Sequence, residues 1–292
     1  MLLKEVEYVK PQSIEEAIAF LSESANGRCL AGGQSLVNVM KLRIASPNRL
    51  VDLNGLHELK GISKDGNYIR IGAMTAYRTI GESSLVQELV PEIAHVANHI
   101  GDRQVRNRGT IGGNCCFNDP TSNFPPLLSV LEAKFEVLGR NGAKRVVEAS
   151  KFFVGPYQTD VQRGEILGAV LLPQCNDKSG AAFLSLRVGN DGPAILHAAA
   201  YIQLTESAIS TCRIAIGCVY NAPYRLKNAE QAILKLGPDS QQIRQTLKTV
   251  SLGVEGISDS HGTSSYREKM ATVYATRAVE AAIKRAKGER PA

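Results

Sequence analysis

Two short stretches constrain this chain more than anything else in it. Residues 30–43 read LAGGQSLVNVMKLR, and residues 106–120 read RNRGTIGGNCCFNDP. In the first, Gly32 and Gly33 join a short apolar run to a segment of helical spacing. Glycine reaches backbone angles closed to other residues and lets a ligand come close to the main chain. With Ser35 as cap of the following helix, the bare N–H groups there make a place for an anion, most often a phosphate. One such loop, taken alone, reads more readily as a strand-to-helix turn that holds nothing. The second repeats the logic, with Gly109, Gly112 and Gly113 set around Thr110 and Asn114. Two such loops can converge on one diphosphate, since N–H nests with hydroxyl and amide side chains need no Lys to bind it. Neither stretch is G-x-G-x-x-G or G-x-x-x-x-G-K-[ST], so Rossmann and Walker phosphate binding are not supported.

With 292 residues, 43% hydrophobic and 21% charged, the chain has the composition of one large or two ordinary globular domains. The net charge of +6 is scattered, aromatics are 5% and Trp is absent, which speaks against a nucleic-acid face. The opening MLLKEVEYVKP carries Lys4, Glu5 and Glu7 and lacks the apolar core of a secretory signal. No run of about 18 apolar residues suggests a membrane span. The 6 cysteines, Cys29, Cys115, Cys116, Cys175, Cys212 and Cys218, form no C-x-x-C pair and no ligand set for zinc or an iron–sulfur cluster. A cytoplasmic protein with reduced thiols and no metal of its own is the expectation.

Along the chain, PQSIEEAIAFLSES predicts a helix with Ser13 and Glu16 as a capping box and Ile14, Ala17, Ile18 and Leu21 on one face. RCLAG, NRLVDL and YIRIGAM read as strands, and PEIAHVANHIG as a helix from Pro91 to Gly101. AKFEVLG and AKRVVEAS read as a hairpin about Asn141-Gly142, and EILGAVLLP as a strand stopped by Pro173. A boundary near 174–179 follows. Beyond it, GAAFLSLRV, HAAAYIQL and STCRIAIGCV are closely spaced strands, followed by two helical segments. On the last, Met270, Val273, Tyr274, Ala278, Ala281 and Ala282 are expected to form the apolar stripe.

The pair AGGQSL and TIGGN, in this order, resembles the FAD-binding medium subunits of molybdenum hydroxylases, the group of xanthine dehydrogenase, carbon monoxide dehydrogenase and quinoline oxidoreductase flavoproteins. The resemblance runs over nearly the whole chain, through VDL, IGAMT, QVRNRGTIGGN, NDP, GEILGAVLLP and GTSSYREKM. It implies an α+β fold: an FAD-binding domain of the vanillyl-alcohol-oxidase type over 1–175, in two α/β parts of about 1–55 and 56–175. A C-terminal domain of a small antiparallel sheet with helices follows over 179–288. It implies that Ala31, Gly32, Gly33, Gln34, Ser35 and Leu36, with Thr110, Ile111, Gly112, Gly113 and Asn114, contact the diphosphate and ribityl chain of FAD. Ile100 corresponds to a position near the flavin and Leu167 to one packed against the ring or adenine. Asn123 stands where relatives often carry Asp toward the cofactor. Many relatives also place a Tyr near the ring within a Gly-Asp-Tyr run; here the run is DGP and Pro193 holds that place. No cysteine-rich insertion for a 4Fe–4S cluster is present.

The resemblance further implies a heterotrimer, as a dimer of heterotrimers. A large molybdopterin subunit hydroxylates the substrate, a small subunit carries two 2Fe–2S clusters, and this chain passes electrons from them through FAD to an external acceptor. No residue is nominated for acid–base catalysis. A stand-alone FAD-dependent oxidoreductase is the alternative, for which the residues after 179 leave little room for a cap domain. His95 and His99 have zinc-pair spacing but lack the Glu of H-E-x-x-H, so an ordinary pair of helix histidines is expected. Ser260-His261 reads as a polar loop opening the last helix, and Cys115-Cys116 as small buried residues rather than a strained vicinal disulfide. Arg103, Arg106 and Arg108 form a basic cluster with either a diphosphate, a subunit contact or solvent as partner.

Overall fold

Ser13 starts the first helix as its sequence predicts. In the computed structural model, which describes residues 3–189, 192–206, 208–219, 222–234, 236–250 and 256–289, the Ser13 hydroxyl accepts the Glu16 N–H at 3.1 Å. The Glu16 carboxylate reaches back one residue further than a capping box requires, accepting the Gln12 N–H at 2.6 Å. The helix, α1 (Ile14–Glu23), turns Ala17, Ile18 and Leu21 onto Val51, Leu53, Leu56 and Leu59. It connects β1 (Glu7–Val9) to β2 (Gly27–Leu30), and α2 (Leu36–Lys41) connects β2 to β3 (Arg49–Asp52). Both outer strands pair with β3 in parallel, giving the order β1-β3-β2. Parallel pairing needs such helical crossovers, which is why helical and strand signals alternate in this part of the sequence.

A second sheet follows. β4 (Ile62–Asp65) and β5 (Tyr68–Gly72) form a hairpin in which Gly66 has φ +56°. β6 (Lys134–Leu138) and β7 (Lys144–Glu148) form another, turning at Asn141 and Gly142, both at positive φ, as the Asn-Gly pair predicts. After the short pair β8 (Phe153–Gly155) and β9 (Gln158–Thr159), β10 (Ile166–Pro173) enters between the hairpins, so that the order is β4-β5-β10-β6-β7. Between β5 and β6 run short helices that the sequence pattern does not reveal: α3 (Tyr77–Glu82), α4 (Ser84–Leu89), α6 (Arg103–Arg108), α7 (Ile111–Phe117) and α8 (Phe124–Val130), with the expected α5 (Pro91–Asn98) among them. Helices of six or seven residues are too short to show a periodic face. The turn α9 (Ala149–Phe152) leads from β7 to β8.

The chain divides into two compact units, Met1–Asn118 with Ala133–Leu172, and Asp119–Glu132 with Pro173–Ala292. The stretch 119–132, which contains α8, thus packs with the later part of the chain, a crossing absent from a linear reading of 1–175 as one part. The second unit is an antiparallel sheet of β11 (Ser179–Arg187), β12 (Ala194–Leu204), β13 (Ile209–Gly217) and β14 (Tyr224–Arg225) in that order. With it go α10 (Lys227–Ile233), α11 (Ser240–Thr249) and α12 (Ser264–Ala286).

The expected stripe of α12 holds in part: Ala278 and Ala282 are buried, and Tyr274 and Ala281 pack against the same core. Its buried face is Ala271, Ala275, Ala278, Val279, Ala282, Ile283 and Ala286, whereas Val273 is exposed. Small residues win because the helix lies directly on the sheet: a Cβ on Gly180 would fall onto the Ala282 carbonyl and 2.6 Å from the Ala286 nitrogen. Where the helix comes that close, at Ala282 and Ala286, alanine-sized side chains fit, while Val279 and Ile283 fill the space beside them.

Candidate functional site

The first glycine stretch leaves β2 at Leu30 and enters α2 at Leu36. Gly33 makes the reversal at φ +73°, and the Val37 N–H opens the helix on the Gly33 carbonyl at 3.2 Å. Ser35 occupies the cap position but has helical angles and makes no side-chain cap bond, contrary to the expectation. Gln34 instead donates from Nε2 to the Gly32 carbonyl at 3.1 Å, and Asn38 from Nδ2 to the Gln34 carbonyl at 2.7 Å. Among the described residues, no group accepts from the backbone N–H of Gly32, Gly33, Gln34 or Ser35. Four consecutive donors are left for a ligand.

The second stretch is not an open loop. Thr110 caps α7 by accepting the Gly113 N–H at 3.1 Å. The Ile111 N–H goes to the Thr75 carbonyl at 3.2 Å, that of Gly112 to the Ala73 carbonyl at 2.9 Å, and that of Asn114 to the Thr110 carbonyl at 3.0 Å. The expectation of a second N–H nest is therefore corrected: these donors are used within the chain. What remains for a ligand is the side chain of Asn114, whose Oδ1 is buried without a hydrogen-bond partner. A buried orphan acceptor is costly unless something donates to it. Tyr77 lies beside it; burial pushes its phenol upward in pKa, and the Asn114 side-chain hydrogen bond opposes that shift.

The two stretches meet. A Cβ on Gly32 would fall onto the Arg108 carbonyl and 2.8 Å from the Gly109 Cα, and one on Gly113 would lie 3.5 Å from the Ala31 Cβ. A cleft of about 350 Å³ opens over the first stretch, lined by Ala31, Gly32, Gly33, Gln34, Asn38, Lys41 and Arg108 among others. Lys41 and Arg108 put two positive charges at its rim. Lys41 was missed in the sequence because it stands a full turn into α2; of the basic cluster, only Arg108 reaches the cleft, while Arg106 donates to the Gly101 carbonyl at 2.9 Å. Unpaired main-chain donors and two cations suit an anionic, hydrogen-bonding ligand such as the diphosphate of FAD.

Behind the first stretch, Asp52 at the end of β3 accepts from the Tyr8 hydroxyl and from Asn54, whose amide also donates to the Ala31 carbonyl at 2.9 Å. Burial raises the Asp52 pKa, but the hydrogen bonds from Tyr8 and Asn54 outweigh it and hold the carboxyl below its usual value.

The remaining candidates are scattered. Ile100 and Leu167 are buried in the same unit and do not line this cleft; Leu167 sits at an irregularity of the β6–β10 pairing. Asn123 begins α8 in the other unit, nearly buried and without a side-chain cap bond. The carbonyl of Pro193 accepts the Val188 N–H at 3.2 Å, and Asp191 of the same run lies outside the described residues. The rings of His95 and His99 lie 4.3 Å apart between centroids, tilted by 35°, with His99 Nδ1 2.7 Å from the His95 carbonyl. Among the described residues no cluster of three or more His, Cys, Asp or Glu could hold a metal. All six thiols are free, and burial pushes those of Cys29 and Cys116 up to about 12. His261 donates its backbone N–H to Asp259 at 2.8 Å in the turn before α12. No helix of the described residues is long and apolar enough to cross a membrane.

Comparison with known proteins bears on the same residues. The family model described as the FAD binding domain in molybdopterin dehydrogenase matches residues 4–175, and that of the CO dehydrogenase flavoprotein C-terminal domain matches residues 182–282. The glyceraldehyde dehydrogenase medium chain of Sulfolobus acidocaldarius is 34% identical over 274 residues, 94% of this chain and 97% of that one. The carbon monoxide dehydrogenase medium chain of Afipia carboxidovorans is 34% identical over 282 residues, 96% and 98% of the two chains. Among solved structures, carbon monoxide dehydrogenase of Hydrogenophaga pseudoflava superposes with a TM-score of 0.93 at 34% identity, covering 98% of this chain and 99% of that one. Quinoline 2-oxidoreductase of Pseudomonas putida does so with a TM-score of 0.91 at 28% identity, covering 99% of each. Both glycine stretches fall inside the first matched region, and the chain belongs to the FAD-binding subunits of the molybdopterin dehydrogenases.

Proposed function

We propose that this chain is the FAD-carrying electron-transfer subunit of a heterotrimeric molybdenum hydroxylase. In this reading a small subunit delivers electrons from 2Fe–2S clusters, a large subunit with molybdopterin oxidises the substrate, and an external acceptor takes the electrons on. The FAD-binding part is 1–175 and the C-terminal part 179–288. Ile100, Asn123 and Leu167 join residues 31–36 and, from the 110–114 stretch, the side chain of Asn114 as cofactor contacts, and two heterotrimers associate in the cytoplasm. The observation that supports it most is the run of four unpaired N–H groups at Gly32–Ser35, with Gly32 packed against Arg108 and Gly109 of the second stretch.

When bound, FAD supplies the passage between one- and two-electron steps. The protein's own part is to hold and to shield. Residues 32–35 would offer donors to the diphosphate, Lys41 and Arg108 would offset its charge, and the Asn114 oxygen would offer an acceptor. No side chain in the cleft is set up to abstract a proton, and none is needed for electron passage. Acid precipitation of the purified protein should release all its flavin, running as FAD on chromatography; FMN, or flavin that stays with the pellet, contradicts the reading. Mixed with the substrate of its complex, the single chain should keep its flavin oxidised until the two other subunits are added. Bleaching in the isolated chain would make it an autonomous oxidoreductase.

A further inference from the structure

We propose that Asn54, held by Asp52 and Tyr8, is a positioning residue that fixes the direction of the first donor in the diphosphate grip. The inference rests on the FAD reading above. All three strands of the parallel sheet take part. Asp52 ends β3 and is paired with Leu30, the last residue of β2, which places its carboxylate beside the start of the glycine stretch. Its Oδ2 accepts from the hydroxyl of Tyr8 on β1. Its Oδ1 accepts both the Asn54 backbone N–H at 2.9 Å and the Asn54 side-chain amide at 2.6 Å. Lys60 Nζ donates to the Asn54 carbonyl at 2.7 Å, so the residue is held at both ends. The other proton of the Asn54 amide goes to the Ala31 carbonyl at 2.9 Å.

That last bond has a consequence for the cleft. In a trans peptide the C=O of one residue and the N–H of the next point in opposite directions. With the Ala31 oxygen tied to Asn54 behind the loop, the Gly32 N–H faces away from Asn54. It is unpaired within the chain, and Gly32 lines the cleft. Gly32 and Gly33 have no side chain to restrain this peptide, and Gly33 already stands at positive φ. Released from Asn54, the Ala31–Gly32 peptide is free to turn over. A turned peptide would remove a donor and aim the negative end of a carbonyl dipole at an anionic ligand. The brace stores orientation in the free protein, so that less order has to be imposed on binding.

The test titrates the flavin-free full-length chain with FAD by fluorescence, at a temperature where circular dichroism shows every variant folded. Asn54→Ala should weaken FAD about tenfold, the worth of one well-placed hydrogen bond with its preorganisation. Asn54→Asp keeps the size but has no donating amide, and should weaken FAD at least as much. Tyr8→Phe removes one of the three bonds to Asp52 and should cost about twofold to threefold. Should Asn54→Ala fail to fold, Tyr8→Phe decides alone. A residue with only a structural role would lower the melting temperature yet leave the affinity of folded molecules unmoved. Wild-type affinity in Asn54→Ala and Asn54→Asp, or in Tyr8→Phe when it stands alone, overturns the inference and leaves the FAD reading intact. A wild-type chain that takes up no FAD overturns both.

Discussion

Replacing Gly112 by Ala separates two roles that the TIGGN stretch could have. Read from sequence, Gly112 is a place where the backbone approaches the ligand, so that a side chain would abolish FAD binding and spare the fold. In the structure Gly112 faces the protein. A Cβ there would stand 2.5 Å from the Ala73 Cβ and 2.6 Å from the Ala73 oxygen, both well inside contact distance. The same Ala73 oxygen accepts the Gly112 N–H at 2.9 Å, and the Ala73 N–H goes to the Gly168 carbonyl at 2.9 Å. To admit one methyl, the first turn of α7 must lift from a segment that is itself tied to β10. Overpacking of this kind costs about 1–3 kcal/mol, and a lengthened hydrogen bond about 1 kcal/mol more. Gly112→Ala should therefore lose about 2–4 kcal/mol, which for a chain of 292 residues lowers the melting temperature by roughly 3–7 °C. The assay is thermal unfolding of the flavin-free chain followed by circular dichroism, with Gly142→Ala as control. Gly142 has φ +72° and open space around it, so its cost is confined to backbone strain of about 1 kcal/mol. A Gly112→Ala chain that melts with the wild type and only loses FAD would refute this packing argument and restore the ligand-facing reading.

Other outcomes can be checked in the same way. Arg267 is buried and donates to the Ile195 carbonyl at 2.7 Å, the Cys218 carbonyl at 2.5 Å and the Asp259 carboxylate; Arg267→Met should cost about 3 kcal/mol in urea unfolding through the partners it leaves unpaired. His197 is fully buried, and burial pushes its pKa down to about 4, so the folded chain refuses a proton that the unfolded chain binds. Its neutral form should thus contribute fully above about pH 6.5 and be lost toward pH 4. His197→Gln should remove about 3 kcal/mol of the acid-side slope relative to wild type in unfolding at stepped pH. Gly180→Ala should lower stability by pressing α12 off β11, and proteolysis should then cut the last helix sooner. Cys29 and Cys116, with pKa values of about 12, should resist thiol reagents at pH 8 in the native chain and react once urea unfolds it.

Local chemistry alone determined a good part of this molecule. Ser13 and Glu16 mark the start of α1, Asn141-Gly142 sets a hairpin, and Pro173 closes β10, because each signal acts within a few residues of itself. The two glycine stretches could be read, and their order carried the family resemblance. Tertiary structure decided what they do. Residues 111–117 hold two glycines, poor helix formers, and become helical because Thr75, Ala73 and Thr110 accept their N–H groups. Ser35 has the identity of a cap and does not act as one. The face of α12 was decided by how closely Gly180 lets a helix approach, a distance that no helical periodicity contains. Residues 119–132 pack with strands that come later in the chain. The brace from Tyr8 through Asp52 and Asn54 to Ala31 spans strands that are neighbours only in the folded sheet. Sequence specifies what each residue can bond; which partner comes within reach is fixed by packing, where burial selects among bonds that isolated segments would leave to water.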